Sequence, residues 1–264
     1  MAAVSAKDVQ ALRRSTGAGM MDAKRALEEA GGDMDQATKA LRESGLAKAA
    51  SRSDRENRQG AVAVGRAGEV ASIVELKSET DFVAKSADFT NLVDELADTV
   101  AREGEDALER YKAEVDELKV TLKENIEVGE VVRFEPAAGN IVDSYLHNQA
   151  ERGVNAVLVE LTGDDRELAH DVAIHVAFTR PDHLTREDVP EEEIEQERQV
   201  LEAETRNEGK PEQAIPKIVE GKLNGRFFAE RVLLDQKFVR DEKQTVRDLL
   251  GDAEIVRYAQ VVVG

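Results

Sequence analysis

The chain has 264 residues, with 36 Lys and Arg against 55 Asp and Glu, a formal net charge of −19 and no cysteine. The absent thiols exclude a disulfide scaffold, a thiolate metal centre and a cysteine nucleophile. The acidity argues against a protein that wraps nucleic-acid phosphates, and an aromatic content of 4% without Trp weakens a base-stacking role. No apolar run is long enough to span a membrane. The opening Met1-Ala2-Ala3-Val4-Ser5 lacks the charged and apolar regions of a signal peptide, so the expectation is a soluble cytoplasmic protein.

Residues 1–50 carry 8 basic and 7 acidic side chains and read as three short helices. Ser5 followed by Asp8 is a capping pattern that opens a helix through Ser15, with Val9 and Leu12 on one face. Thr16-Gly17-Ala18-Gly19 breaks it. Asp22 is expected to cap a second helix whose Ala23, Ala26, Leu27 and Ala30 form an apolar stripe. Gly31-Gly32 ends that helix, and Asp33 with Gln36 opens a third, carrying Ala37, Ala40 and Leu41. Residues 46–60 become charged and contain Gly, Ser and Asn, the composition of a linker.

The pattern then changes. Val62, Val64, Val70, Ile73, Val74 and Leu76 lie in β-prone runs split by Gly65 and Gly68, which reads as a hairpin. A loop, Ser78-Glu79-Thr80-Asp81-Phe82-Val83, leads into a helix with Phe89, Leu92, Val93, Leu96 and Val100 at helical spacing. Residues 105–125 read as a charged helix and 128–134 as a strand. Residues 154–161 form another strand, and its Val159-Glu160-Leu161 echoes Val74-Glu75-Leu76 at an offset of 85. A helix with Leu168, Val172 and Val176 follows, so strand, loop and helix recur as an internal repeat. The loops differ: the first copy has Thr80-Asp81-Phe82-Val83 where the second has Gly163-Asp164-Asp165.

Residues 181–210 carry 11 acidic and 4 basic side chains, a local balance of −7, the pattern of a solvated helix face. Ile194 and Leu201 lie on that helix, Asn207-Glu208-Gly209-Lys210-Pro211 is a turn, and Ile215, Ile218, Val219 and Leu223 mark a second helix. Together they read as an antiparallel helical hairpin with a thin apolar seam, suited to projecting or to pairing with another surface. Residues 227–234 and 257–263 read as strands returning to the sheet, with a short helix at 246–250.

Catalytic motifs are absent. Gly17-Ala18-Gly19 follows a helix rather than a strand and lacks the Lys-Ser/Thr ending of a phosphate loop, and there is no Gly-x-Ser-x-Gly elbow. His170 and His175 are about 140° apart around a helix, a poor geometry for sharing a metal, and no metal or cofactor is expected. No carboxylate pair stands in an apolar setting that would split its pKa values. The unusual residues are apolar ones in polar places. Phe82 and Val83, flanked by Asp81 and Lys85, either fold back over the sheet or form an exposed wedge for a partner. Met20 and Met21, beside glycines at a helix start, pose the same choice between core filler and adaptable contact.

Three segments carry a family resemblance. Leu12-Arg13-Arg14-Ser15-Thr16-Gly17-Ala18-Gly19-Met20-Met21-Asp22 resembles the opening signature of bacterial elongation factor Ts, and Glu79-Thr80-Asp81-Phe82-Val83-Ala84-Lys85 resembles its second signature. Glu208-Gly209-Lys210-Pro211, with Lys217-Ile218-Val219-Glu220-Gly221-Lys222-Leu223 after it, is similar to the family's helical-hairpin segment. The resemblance implies an α+β protein: a ubiquitin-associated-like three-helix module over 1–50, a linker over 51–60 and a two-part core with antiparallel sheets. The core's first part is 61–140. Its second part is 141–186 with a return at 226–264, interrupted by a coiled-coil hairpin at 187–225.

The resemblance also implies a non-enzymatic guanine-nucleotide exchange factor for elongation factor Tu, without direct nucleic-acid or membrane contacts. Asp81 and Phe82, with Thr80 and Val83 around them, are then expected beside the partner's magnesium site. Leu12, Met20 and Met21 dock on the same domain, and His147 presses from the other side. The hairpin is a candidate for homodimer or heterotetramer contacts. Ala23 and Ser78 stand where relatives often have Cys, Val128-Gly129-Glu130-Val131 lacks the paired arginines common there, and the ending Tyr258-Ala259-Gln260-Val261-Val262-Val263-Gly264 departs from the usual Arg-Phe-Glu-Val-Gly. Some relatives continue into a further helical module. The rival readings are a binding module or holdase for other proteins, and a metal- or carboxylate-dependent hydrolase.

Overall fold

A computed structural model describes residues 4–264; the signal-peptide reading rests partly on residues 1–3, which lie outside it. The first helix, α1 (Ala6–Thr16), is capped by Ser5, whose hydroxyl accepts the Asp8 backbone N–H at 3.1 Å. The second, α2 (Met20–Glu29), starts earlier than Asp22 suggests. Gly19 is its N-cap, so Asp22 falls inside the first turn and pairs with Arg25 at 2.7 Å instead of capping. The third, α3 (Met34–Ala50), is capped by the Asp33 carboxylate. It runs on through residues 46–50, read as linker, because Leu46-Ala47-Lys48-Ala49-Ala50 are all good helix formers. Val9, Leu12, Ala23, Ala26, Leu27 and Ala37 pack between the three helices, while Ala40 faces solvent.

The first half of the body is a hairpin of β1 (Gln59–Ala67) and β2 (Val70–Ser78), a single turn α4 (Asp81–Ala84), the long helix α5 (Ala87–Glu103), α6 (Lys112–Leu122) and β3 (Glu127–Phe134). The second half opens with the hairpin β4 (Asn140–Gln149) and β5 (Arg152–Thr162), followed by α7 (Arg166–Thr179). Then come the helical arms α8 (Glu191–Asn207) and α9 (Ile215–Lys222), a π-helical turn at Leu223–Phe228 and the turn α10 (Ala229–Arg231). A small ribbon of β6 (Lys237–Phe238) and β7 (Asp241–Thr245), the capped helix α11 (Val246–Leu250) and β8 (Ile255–Val262) complete the chain.

Both sheets are antiparallel, in the orders β1-β2-β3 and β4-β5-β8. In each half a hairpin is followed by a helix, and a later strand pairs beside the hairpin's second strand. The echo between Val74-Glu75-Leu76 and Val159-Glu160-Leu161 is therefore an equivalence of the two central strands, β2 and β5. The sheets stack face to face around Val62, Ala71, Ile73, Val142, Ala156 and Leu158. On the outer faces, Ala61, Ala63, Val74 and Leu76 meet α5, and Val157, Val159 and Leu161 meet α7. The result is four layers, helix–sheet–sheet–helix. Strands covered on both sides read as nearly continuous apolar runs.

Two expectations need correction, and one strand had no expectation at all. Residues 227–234 are not a strand. Leu223, Phe227 and Phe228 continue the inward face of α9, and together with Val232, which is extended and makes a lone parallel bridge to His183, they bury with Val189, Leu201, Ile215 and Val219. The widened π turn turns both adjacent phenylalanines inward, with Arg186 and Arg231 over their rings at 4.6 and 5.2 Å from the centroids. Strand β4 had no sequence signal beyond Ile141 and Val142, because it is an edge strand whose far end is polar and exposed. Gly65, read as a break, sits within β1 opposite Ser72.

The reason for a glycine at 65 is contact. A Cβ there would come within 2.2 Å of the Ala97 carbonyl oxygen on α5, the same oxygen that accepts the buried Ser72 hydroxyl at 2.6 Å. Gly65→Ala is expected to push α5 off the sheet and to destabilise by about 1–3 kcal/mol, measured as a lowered urea midpoint; an unchanged midpoint would show the contact to be dispensable.

Candidate functional site

The segment after β2 leaves the sheet as one helical turn. The Thr80 hydroxyl caps it, accepting the Val83 N–H at 3.4 Å. Ala84 is fully buried and Val83 packs against the first-half core, which anchors the inner side of the turn. Phe82, on the outer side, is 86% exposed. Of the two directions open to its ring, the fold takes the outward one. Asp81 beside it pairs with Lys85 four residues on, and that hydrogen bond holds its carboxyl below the usual carboxylate range.

Across a groove from this turn lies the tip of the β4–β5 hairpin, with Gln59, Thr80, Asp81 and Lys85 on one side and Gln149 and Arg152 on the other. Arg152 ties the tip to the first sheet, its guanidinium donating to the Gly60 carbonyl and to Gln59 Oε1. The two tip residues, Ala150 and Glu151, both have positive φ, 51° and 66°, the geometry that a two-residue hairpin turn demands. His147 lies exposed near this tip, its ring stacked on Tyr145 with centroids 6.4 Å apart. Its register partner Asn155 donates to the Ala177 carbonyl at 2.9 Å, which draws in the C-terminal end of α7. Phe178, next along that helix, is 78% exposed.

So the β2 end with Phe82, His147 and Phe178 belong to one end of the sandwich. Phe178 lies outside the residues singled out by motif. Its signal was there: it falls about 200° around the helix from Val176, off the stripe of Leu168, Val172 and Val176.

The N-terminal module presents Met20 and Met21 at the start of α2, 45% and 73% exposed. Leu12 is different. It is fully buried among the module's own helices, so it holds the surface up from beneath. The module rests on α6, where Gly45 lies close enough that a Cβ would come within 2.6 Å of Val120. Arg52 adds a hydrogen bond to the Lys119 carbonyl at 3.0 Å.

A family model described as Elongation factor TS matches residues 79–264, beginning one residue before the cap of the exposed turn. A protein named Elongation factor Ts from Deinococcus deserti is 40% identical over 272 residues, covering 98% of this chain and 99% of the relative. One of the same name from Acidothermus cellulolyticus is 42% identical over 278 residues, covering 100% and 99%. A third, from Leifsonia xyli, is 41% identical over 266 residues, covering 96% and 95%. The chain belongs to the elongation factor Ts family.

The histidines of this member of the elongation factor Ts family lie in separate settings. Among the described residues no group of three or more His, Asp or Glu is arranged to hold a metal ion, and no helix is long and apolar enough to cross a membrane. His170, itself exposed, sits beside the buried Asp143 carboxylate at 3.2 Å. His175 is fully buried, with Nε2 against Gln236 Oε1 at 2.9 Å and Nδ1 accepting the Val239 N–H at 3.2 Å. That pair of contacts assigns the proton to Nε2 and leaves the ring neutral. Gln236 is itself filled, accepting from Thr179 and donating to the Glu230 carbonyl. This is a packing network.

Burial pushes the His175 pKa down, the Gln236 bond opposing it only in part. The unfolded chain then binds a proton more readily than the folded one, so stability is complete above the ordinary histidine pKa of roughly 6.5 and is lost as pH falls below it. Urea midpoints at pH 7.5 and 5.5 are expected to differ more for the native chain than for His175→Gln, which takes up no proton. Equal differences would mean that His175 does not govern this slope.

Proposed function

We propose that this protein is a guanine-nucleotide exchange factor for elongation factor Tu, and that Phe82 is the wedge that loosens the nucleotide. The observation that carries the reading is an aromatic ring held out in water by a capped turn whose other apolar residues are anchored. Solvent-exposed large aromatics on such turns belong to contact surfaces. The relatives' name supports a role in elongation, and the partner in this reading is elongation factor Tu.

A nucleotide bound by backbone donors, a lysine and Mg²⁺ leaves slowly because those contacts hold together. A protein that binds the empty form more tightly than the loaded form weakens nucleotide binding by the same factor. Differential contact is sufficient, and no acid, base or nucleophile is needed. In this reading Phe82 enters the partner's GTPase domain near the phosphate and magnesium site. Asp81 lies beside it, and Thr80 and Val83 fix the turn. His147 bears on the partner from the second half of the core. Met20 and Met21 form an adaptable contact on the same domain, with Leu12 supporting them from inside the module.

Stopped-flow release of a fluorescent GDP analogue from elongation factor Tu tests this. The native chain is expected to accelerate release, and Phe82→Ala to lose at least about tenfold of that acceleration, the scale of a central interface aromatic, with its circular dichroism unchanged. If Phe82→Ala accelerated release as well as the native chain, the wedge assignment would fall; if the native chain did not accelerate release at all, the exchange reading would fall with it.

A further inference from the structure

The turn bearing Phe82 is held by a residue more than forty positions away. Glu124 Oε2 accepts the backbone N–H of both Glu79 and Thr80 at 3.0 Å, and its Oε1 accepts the Thr80 hydroxyl. The clasp is returned: Glu79 Oε1 accepts the Asn125 backbone N–H at 2.7 Å, with Arg55 against the same carboxylate at 3.4 Å. The Asn125 side chain donates to the Ser53 and Arg55 carbonyls at 3.1 and 2.9 Å. Two segments thus converge on two consecutive residues between α6 and β3: the connection from the N-terminal module and the wedge turn.

Glu124 reaches this position through a backbone device. The helix α6 ends at Lys123, which takes the left-handed conformation with φ 61° and ψ 29° while its N–H closes on the Lys119 carbonyl at 3.1 Å. The chain reverses there, and the next side chain is delivered to the turn rather than to solvent. The three donors Glu124 takes up are the two amides that lead into the turn and the hydroxyl that caps it. Hydrogen bonds to a carboxylate are about twice as strong as neutral ones. Without them Glu79 and Thr80 have no backbone partner in α4, and the cap is free to rotate away from Val83.

We infer that Glu124 is a positioning residue for nucleotide exchange, holding the Thr80 cap and so the direction of Phe82 before the partner arrives. The inference rests on the wedge reading above. It assigns to Glu124 no contact with nucleotide or magnesium; it acts only through the turn.

The test compares Phe82→Ala, Glu124→Ala, Glu124→Gln and the double variant Phe82→Ala/Glu124→Ala in the GDP-release assay. Glutamine keeps one oxygen to accept the two amides and presents its NH₂ to the Thr80 hydroxyl, so Glu124→Gln is expected to retain most of the native acceleration. Glu124→Ala is expected to lose about tenfold, the cost of a misplaced group. The double variant is expected to be no slower than Phe82→Ala alone, because both changes act through one ring. A second readout is independent of exchange. The chain has no Trp, so Phe82→Trp introduces a single fluorophore, and its anisotropy in the free protein is expected to fall when Glu124→Ala is added.

If Phe82→Ala is slow while Glu124→Ala matches the native rate and leaves the anisotropy unchanged, the positioning role is overturned and the wedge stands. If Phe82→Ala itself is as fast as the native chain, the wedge reading is what fails. A double variant much slower than Phe82→Ala alone would show Glu124 acting elsewhere and would also overturn the inference.

Discussion

Gly153 at the start of β5 lies so close to β1 that a Cβ would come within 2.1 Å of the Val62 carbonyl oxygen. That approach sets the separation of the two sheets at one end of the sandwich. Behind it stands the shared apolar layer of Val62, Ile73, Ala156 and Leu158, whose larger members each stabilise the fold by roughly 1.5–3 kcal/mol when fully buried. Arg152, one residue before the glycine, reaches over to Gly60 and Gln59. The end of β2, which launches the Phe82 turn, and the β4–β5 tip, near which His147 lies, are consequently parts of one close-packed body. Such interiors deform little, so the spacing of the exposed residues is a property of the layer between the sheets.

Much of this was legible in the residues. Strands β1, β2 and β5 announce themselves because both their faces are covered, and the caps at Ser5 and Asp33 do what their spacing requires. The repeat at an offset of 85 is real at the level of topology. What could not be read depended on partners far away in the chain. The direction of Phe82 is decided by Ala84 against the core and by Glu124 across a reversed helix end, neither of which leaves a local pattern. Strand β4 forms because β5 offers it a neighbour, not because its own polar half favours extended backbone. The helical continuation through Arg231 wins over a β-like run because Val189, Leu201 and Val219 give two phenylalanines an interior to enter. Leu12 shows the opposite error: a residue placed within a signature by resemblance turns out to be the module's core.

The net charge of −19 also has a place and a limit. On the helical hairpin, Lys222 lies against Glu204 and Glu208 at 3.3 and 2.9 Å, Arg226 against Glu204 at 3.4 Å, and Arg206 against Glu212 at 3.1 Å. Pairs with a solvent-exposed partner are weakened by screening and by the entropy of holding long side chains, so they register the arms rather than hold them. The holding is done by Leu201, Ile215, Val219 and Leu223, and it closes the seam with the hairpin's own side chains. Glu191, Glu192 and Glu193 crowd the first turn of α8, where the helix dipole favours negative charge. The acidity is compatible with the fold because most of it lies where the local field or solvent tolerates it.

An aromatic ring kept in water is a standing cost to the free protein, on the order of the 1.5–3 kcal/mol that its burial would return. The fold accepts that cost while committing two backbone amides, a hydroxyl and a carboxylate to keep the ring there. Fixing the turn removes backbone freedom worth about 1–2 kcal/mol per residue before any partner is met. Both terms act in the same direction in an exchange mechanism: what has been ordered in advance need not be ordered in the complex, and what has been left uncovered gains by being covered. Neither term, however, distinguishes a loaded partner from an empty one. Discrimination requires that the space Phe82 fills be available only when nucleotide contacts have given way, since a ligand that binds both states equally shifts nothing. In the proposed exchange role the free protein therefore supplies the affinity, and the geometry of the turn, a cap held at a fixed position relative to the hairpin tip, is what would divide that affinity between the two states.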